Sequence, residues 1–145
     1  MDGSDGRPLE GQPGRFRGRA LLAARLRLLP RARQPVEGAR RAVIDERKVR
    51  DYLLSSFHPA GRFKARLLAR AGFRESDWKV LMAELRRIAA HGITAPGQPT
   101  PHGRKYVVWG TLRHGDGIAL PVLTVWIVTS PGRPPRFVTL IPRRG

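Results

Sequence analysis

IALPVLTVWIVT, residues 118–129, is a long, nearly continuous run of apolar and β-branched residues with turn-forming segments on both sides, RHGDG at 113–117 and SPGRPP at 130–135. A run of that kind reads as a buried strand. KYVVWGTL (105–112) comes before it and RFVTLIP (136–142) after it, both rich in aromatic and β-branched residues. Connections this short, with this turn chemistry, predict an antiparallel meander of the three strands. Pro121 lacks a backbone donor, so a bulge or an irregular start is expected there.

Upstream the periodicity changes from two to between three and four. Asp45 is placed to cap a first helix, with Ile44 stapled onto Val49 and an apolar face of Val49, Tyr52 and Leu53. A second helix starts near Pro59 and is expected to bury Phe63, Leu67 and Leu68; Gly72 closes it in a left-handed cap and Phe73 folds back. Ser76 is the expected cap of a third, whose stripe is Trp78, Leu81, Leu85 and Ile88, with Gly92 beyond its end. APGQPTPHG (95–103) is a loop that separates helices from strands. The predicted fold is α+β: about three N-terminal helices packed on one face of a three- to four-stranded antiparallel meander sheet.

Residues 43–145 read as one such domain, and 145 residues in total leave little room for a second. Residues 1–42 are Gly-, Pro- and Arg-rich, a composition that opposes ordering, and read as a basic extension. Within it ALLAARLRLLP (20–30) is the nearest approach to a signal-peptide apolar region, but Arg25 and Arg27 interrupt it; no segment reads as membrane-inserted.

The chain carries 28 basic and 11 acidic residues, a net charge of +17. Such a surface attracts polyanions, so nucleic acid, an anionic membrane and an acidic protein are all candidate partners. Only Lys48, Lys64, Lys79 and Lys105 are lysines, which leaves 24 arginines. Arginine suits bidentate phosphate contacts, and GC-rich codons produce the same bias. The absence of cysteine excludes disulfides, thiolate metal sites and a cysteine nucleophile.

There is no phosphate-binding glycine loop ending in Lys-Ser or Lys-Thr, no HExxH, and no zinc spacing, so neither a metal nor a cofactor is expected. The chemistry-bearing stretch is FHPAGRFKARLLARAGF (57–73). Gly61 at a helix entrance lets an anion approach the backbone N–H groups, Arg62 and Lys64 add charge, and His58 at the lip can move a proton near neutral pH. A solvated basic helix face with His58 capping a turn accounts for the same residues. On the strands, Arg104, Tyr106, Arg136 and Thr139 are the polar candidates. Alternation puts Lys105 opposite to Tyr106, and Thr139 with Phe137 but opposite to Arg136. Tyr106 and Trp126 also read as core or core-edge aromatics.

HPAGRFKA (58–65), GRKY (103–106), the spaced set Gly117, Ala119, Val122, Thr124 and Trp126, and PRFVTLIP (135–142) together resemble an uncharacterised bacterial domain family. Its members occur as short standalone proteins and at the C-terminal ends of large secreted or phage-head-associated toxins. An aromatic commonly precedes the final Pro in that family, where this chain has Ile141. The toxin context and the helix-then-sheet order are similar to the barnase and RelE-like ribonuclease superfamily. That resemblance implies metal-independent RNA cleavage by 2'-hydroxyl attack in the cytoplasm, with secretion through a larger system left open and a cognate inhibitor protein as a further partner. His58, Lys64 and Thr139 would then be catalytic, and Gly61, Arg62, Arg104, Tyr106 and Arg136 would bind phosphate. A non-catalytic nucleic-acid-binding domain and a small interaction protein are the alternatives.

Overall fold

The structure, a computed structural model, describes residues 35–55 and 61–143. Its sheet is open and antiparallel, with strands β1 (Ile93–Thr94), β2 (Gln98–Thr100), β3 (Gly103–Leu112), β4 (Leu120–Val128) and β5 (Arg136–Pro142). The order is β1-β3-β4-β5, and β2 shares the outer edge of β3 with β1. The expected meander is β3-β4-β5, and the last strand has the bounds read from the sequence.

Two further strands correct the expected count. β1 and β2 form where the sequence reads as a helix end and a Pro/Gly loop. Pro99 is tolerated because β2 is an edge strand, where a missing donor breaks no ladder. The expected irregularity at Pro121 is also displaced. Pro121 stays in register opposite Thr111, and its carbonyl accepts the Arg143 N–H at 2.8 Å. The register shift lies instead on β5: Val125 pairs with Thr139 and Trp126 with Phe137, which leaves Val138 without a partner as a bulge.

Among the described residues three helices longer than a single 3₁₀ turn precede the strands, and two of them are α-helical: α1 (Arg62–Arg70) and α2 (Trp78–His91). The first, Lys48–Leu53, is a π-helix, closed by the Leu54 N–H bonding the Val49 carbonyl five residues back at 3.0 Å. Asp45 caps its entrance as expected, its Oδ1 accepting the Arg47 N–H at 2.9 Å. In α1 the expected burial of Phe63 fails; that ring is 66% exposed. The helix instead buries Ala65 and Leu68 next to a buried Gly61, and Phe63, two residues from Ala65, falls about 200° round the axis from that face. Gly72 (φ 103°) ends α1 in the left-handed cap, with the Phe73 N–H on the Leu68 carbonyl at 2.8 Å. The cap before α2 is Asp77 rather than Ser76, because a 3₁₀ turn, Glu75–Asp77, intervenes and Asp77 Oδ2 accepts the Arg74 N–H at 2.9 Å.

One core joins the helices to one face of the sheet. Val49, Leu53, Leu68, Phe73, Leu81, Leu85 and Ile88 meet Val108, Leu112, Val122, Trp126, Phe137 and Leu140. Val36, Ala39 and Ala42, on and beside the 3₁₀ turn Ala39–Arg41, belong to the same core. Thr124, fully buried, donates to the Val108 carbonyl and accepts the Trp126 indole N–H, each at 2.8 Å, so the largest core side chain has its polar atom satisfied. Phe137 and Leu140 are both buried although three residues apart. Simple alternation would put them on opposite faces; the bulge at Val138 absorbs the extra residue.

Candidate functional site

The candidate site lies where the π-helix meets the bulge. The register leaves Val138 without a Cα partner in β4, and its carbonyl accepts the Lys48 ammonium at 2.8 Å. Lys64, in the first turn of α1, places its Nζ 3.1 Å from Thr139 Oγ1 and 5.6 Å from the centre of the Tyr52 ring. Tyr52 stands four residues after Lys48, close to one turn of the widened helix, so both side chains reach the same side. Together Asp45, Arg47, Lys48, Tyr52, Val138 and Thr139 line a cleft of about 450 Å³.

Close backbone packing fixes the relation of α1 to this helix. A Cβ on Gly61 would lie 2.0 Å from the Tyr52 carbonyl oxygen, so only glycine permits the contact that brings Lys64 over Tyr52. Lys48, Tyr52, Lys64 and Thr139 are all half-buried. Two ammonium groups held at that depth are less screened than surface charges. Lys64 reaches the cleft through Thr139, and the cleft wall carries the Asp45 carboxylate as well as lysine, which acts as a compact point charge, a hydroxyl and a phenol ring.

Of the residues singled out from the sequence, the structure brings Lys64 and Thr139 together across 75 positions of chain. Gly61 adjoins them through Tyr52. Arg62 is exposed at the start of α1. His58 lies outside the described residues. Arg136 is exposed at the start of β5, opposite Ile127 and bridged to Val43. Arg104 and Tyr106 line a different cleft. The expected parity of Thr139 is corrected by the bulge: the register sets Thr139 opposite Val125 and Arg136 opposite Ile127, two residues apart on β4 and so in phase with each other, not with Phe137.

Lys48 and Tyr52 are the members that sequence reasoning missed. Tyr52 reads as part of an apolar helix face, and Lys48 is given no role beyond its charge. A compositional signal was present nonetheless: lysine is scarce in this arginine-rich chain, four of 28 basic residues, and two of the four reach this cleft. Among the described residues no group of three or more His, Cys, Asp or Glu is placed to hold a metal ion, and no helix is long and apolar enough to cross a membrane.

The chain belongs to the DUF6883 family, a domain of unknown function whose model matches residues 36–144. No curated protein and no solved structure matches it.

Proposed function

We propose that this domain is a metal-independent endoribonuclease of the toxin type, acting on RNA in the cytoplasm and held in check by a cognate inhibitor protein. The observation that carries the reading is the contact of Lys64 with Thr139, a residue that lines one cleft together with Lys48 and Tyr52. In the proposed reaction the RNA 2'-oxygen bonds to phosphorus while the bond to the 5'-oxygen breaks. The 2'-hydroxyl proton passes to a base, and the departing oxygen takes a proton from an acid. Lys48 and Lys64 stabilise the charge that develops on the non-bridging oxygens, and the Thr139 hydroxyl donates to one of them.

His58 is assigned the proton transfer. It stands three residues before Gly61 in the sequence, in the HPAGRFKA motif that also carries Lys64. Gly61 in turn packs on Tyr52, inside the same cluster.

The test is cleavage of a single-stranded RNA in EDTA, with product ends resolved. The wild type should release 2',3'-cyclic phosphate ends, and Lys64→Ala and Lys48→Ala should each slow cleavage by about 10²-fold or more. RNA left whole by the wild type, while bound in a salt-sensitive manner, would replace the enzyme with a nucleic-acid-binding domain.

A further inference from the structure

A second cleft, of about 390 Å³, opens beyond the other side of the segment where Val43 pairs with Pro135 and Phe137. Both chain segments run from one cleft to the other through that pairing: residues 36–37 and 128–133 line the second, residues 45–52 and 138–139 the first. Its wall is part apolar, from buried Val36 and half-buried Val128, and part aromatic, from half-buried Tyr106. Its rim carries Glu37, Arg104 and Arg133, all exposed.

Arg104 does not sample this rim at random. Its stem and the Tyr106 ring both lie across Gly97, where an added Cβ would come within 2.6 Å of Arg104 Cγ and 2.7 Å of Tyr106 Cε1. Its Nη1 donates to the Gly97 carbonyl at 3.0 Å. One edge of the guanidinium is therefore anchored, and the fork is oriented before any ligand arrives.

An aromatic ring beside apolar walls takes a planar base by its face, and an oriented guanidinium takes a phosphate oxygen pair. The volume falls within the range of small-molecule sites. Arg104 is two strands from Thr139 and, through their partners Val128 and Val125, three residue steps along the sheet. Their backbones are therefore roughly 14 Å apart by sheet spacing, and the odd number of steps sends the two side chains to opposite faces of the sheet, so the second cleft is a site separate from the first.

We propose that this second cleft is a nucleotide subsite: it holds a base against Tyr106 with the attached phosphate on Arg104 and Arg133. The proposal rests on the ribonuclease reading for its substrate, and on the cleft alone for its chemistry.

Titration of the protein with each of the four ribonucleoside 5'-monophosphates, followed by amide chemical shifts, tests it, with inorganic phosphate as a separate arm. At least one nucleotide should saturably shift amides at 103–106 and 129–133, and phosphate alone should not reproduce those shifts. Arg104→Gln and Arg133→Gln, both at exposed positions, should weaken nucleotide binding about tenfold each. In RNA cleavage they should raise KM with little change in kcat. Shifts confined to the Lys48 and Thr139 region, or phosphate giving the same shifts at 103–106 and 129–133, would overturn the subsite. Nucleotide binding here without any RNA cleavage upholds the subsite and removes the ribonuclease; Lys64-dependent cleavage with no binding here does the reverse.

Discussion

Where α2 lies against β3 and β4, the molecule follows its periodic rules: Leu81, Leu85 and Ile88 descend one helix face, and Val108, Leu112 and Val122 alternate along in-register strands. Where the Lys48–Leu53 helix meets β5, both partners break theirs, the helix by widening to i→i+5 bonding and the strand by an unpaired residue. The first region is closed by apolar packing around Thr124, with Arg87 of α2 donating to the Thr111 carbonyl of β3 at its exposed rim. The second uses a lysine to hold the carbonyl of the bulge residue, and a second lysine to meet the hydroxyl beside it. Irregularities of both kinds are over-represented at functional sites, and their meeting here is what singles out this cleft as the candidate site.

That contrast is open to attack through stability first. Trp126→Ala, in the regular region, should cost about 3–5 kcal/mol in urea unfolding, because a fully buried indole leaves a cavity no neighbour fills. A cost near zero would mean that the sheet face is loosely packed. A smaller penalty, about 1–3 kcal/mol, is expected for Thr124→Val, which preserves shape but strips the Trp126 indole N–H of its acceptor. Should Thr124→Val match the wild type, the buried hydrogen-bond pair contributes nothing to the core. Smallest of all, Phe63→Ser should shift stability by no more than about 0.5 kcal/mol, since that ring faces solvent. A large loss there would restore the packing role that the sequence pattern assigns to Phe63.

The fold was legible wherever one period runs unbroken. The β3-β4-β5 meander, the α2 stripe and the Gly72 cap follow from alternation, helical spacing and glycine chemistry. Phe63 misleads because Phe63 and Leu67 share a helix face on paper, while the backbone contact at Gly61 turns the face carrying Ala65 and Leu68 inward. β1 and β2 were hidden because two or three residues of edge pairing leave no periodic trace, and Pro99 argues against a strand. At the site, Lys64, Thr139 and Gly61 carried recognisable chemistry in a helix entrance and a closing strand. Lys48 and Tyr52 did not, since nothing local announces a π-helix. The bulge is legible only in hindsight: Phe137 and Leu140 are both large and apolar at a spacing that alternation forbids.

Deletion of Val138 tests the central claim most directly. Removing the bulge residue leaves Phe137, Thr139 and Leu140 in simple alternation, with both large side chains still facing the core, so the sheet can pair without interruption. It also removes the carbonyl that Lys48 holds, so the Lys48 ammonium loses its anchor at the cleft while Thr139 keeps its place opposite Val125. The expected result is a variant with the circular dichroism of the wild type and cooperative unfolding, but with RNA cleavage reduced by about 10²-fold or more. A folded deletion variant that cleaves RNA at the wild-type rate would contradict the account.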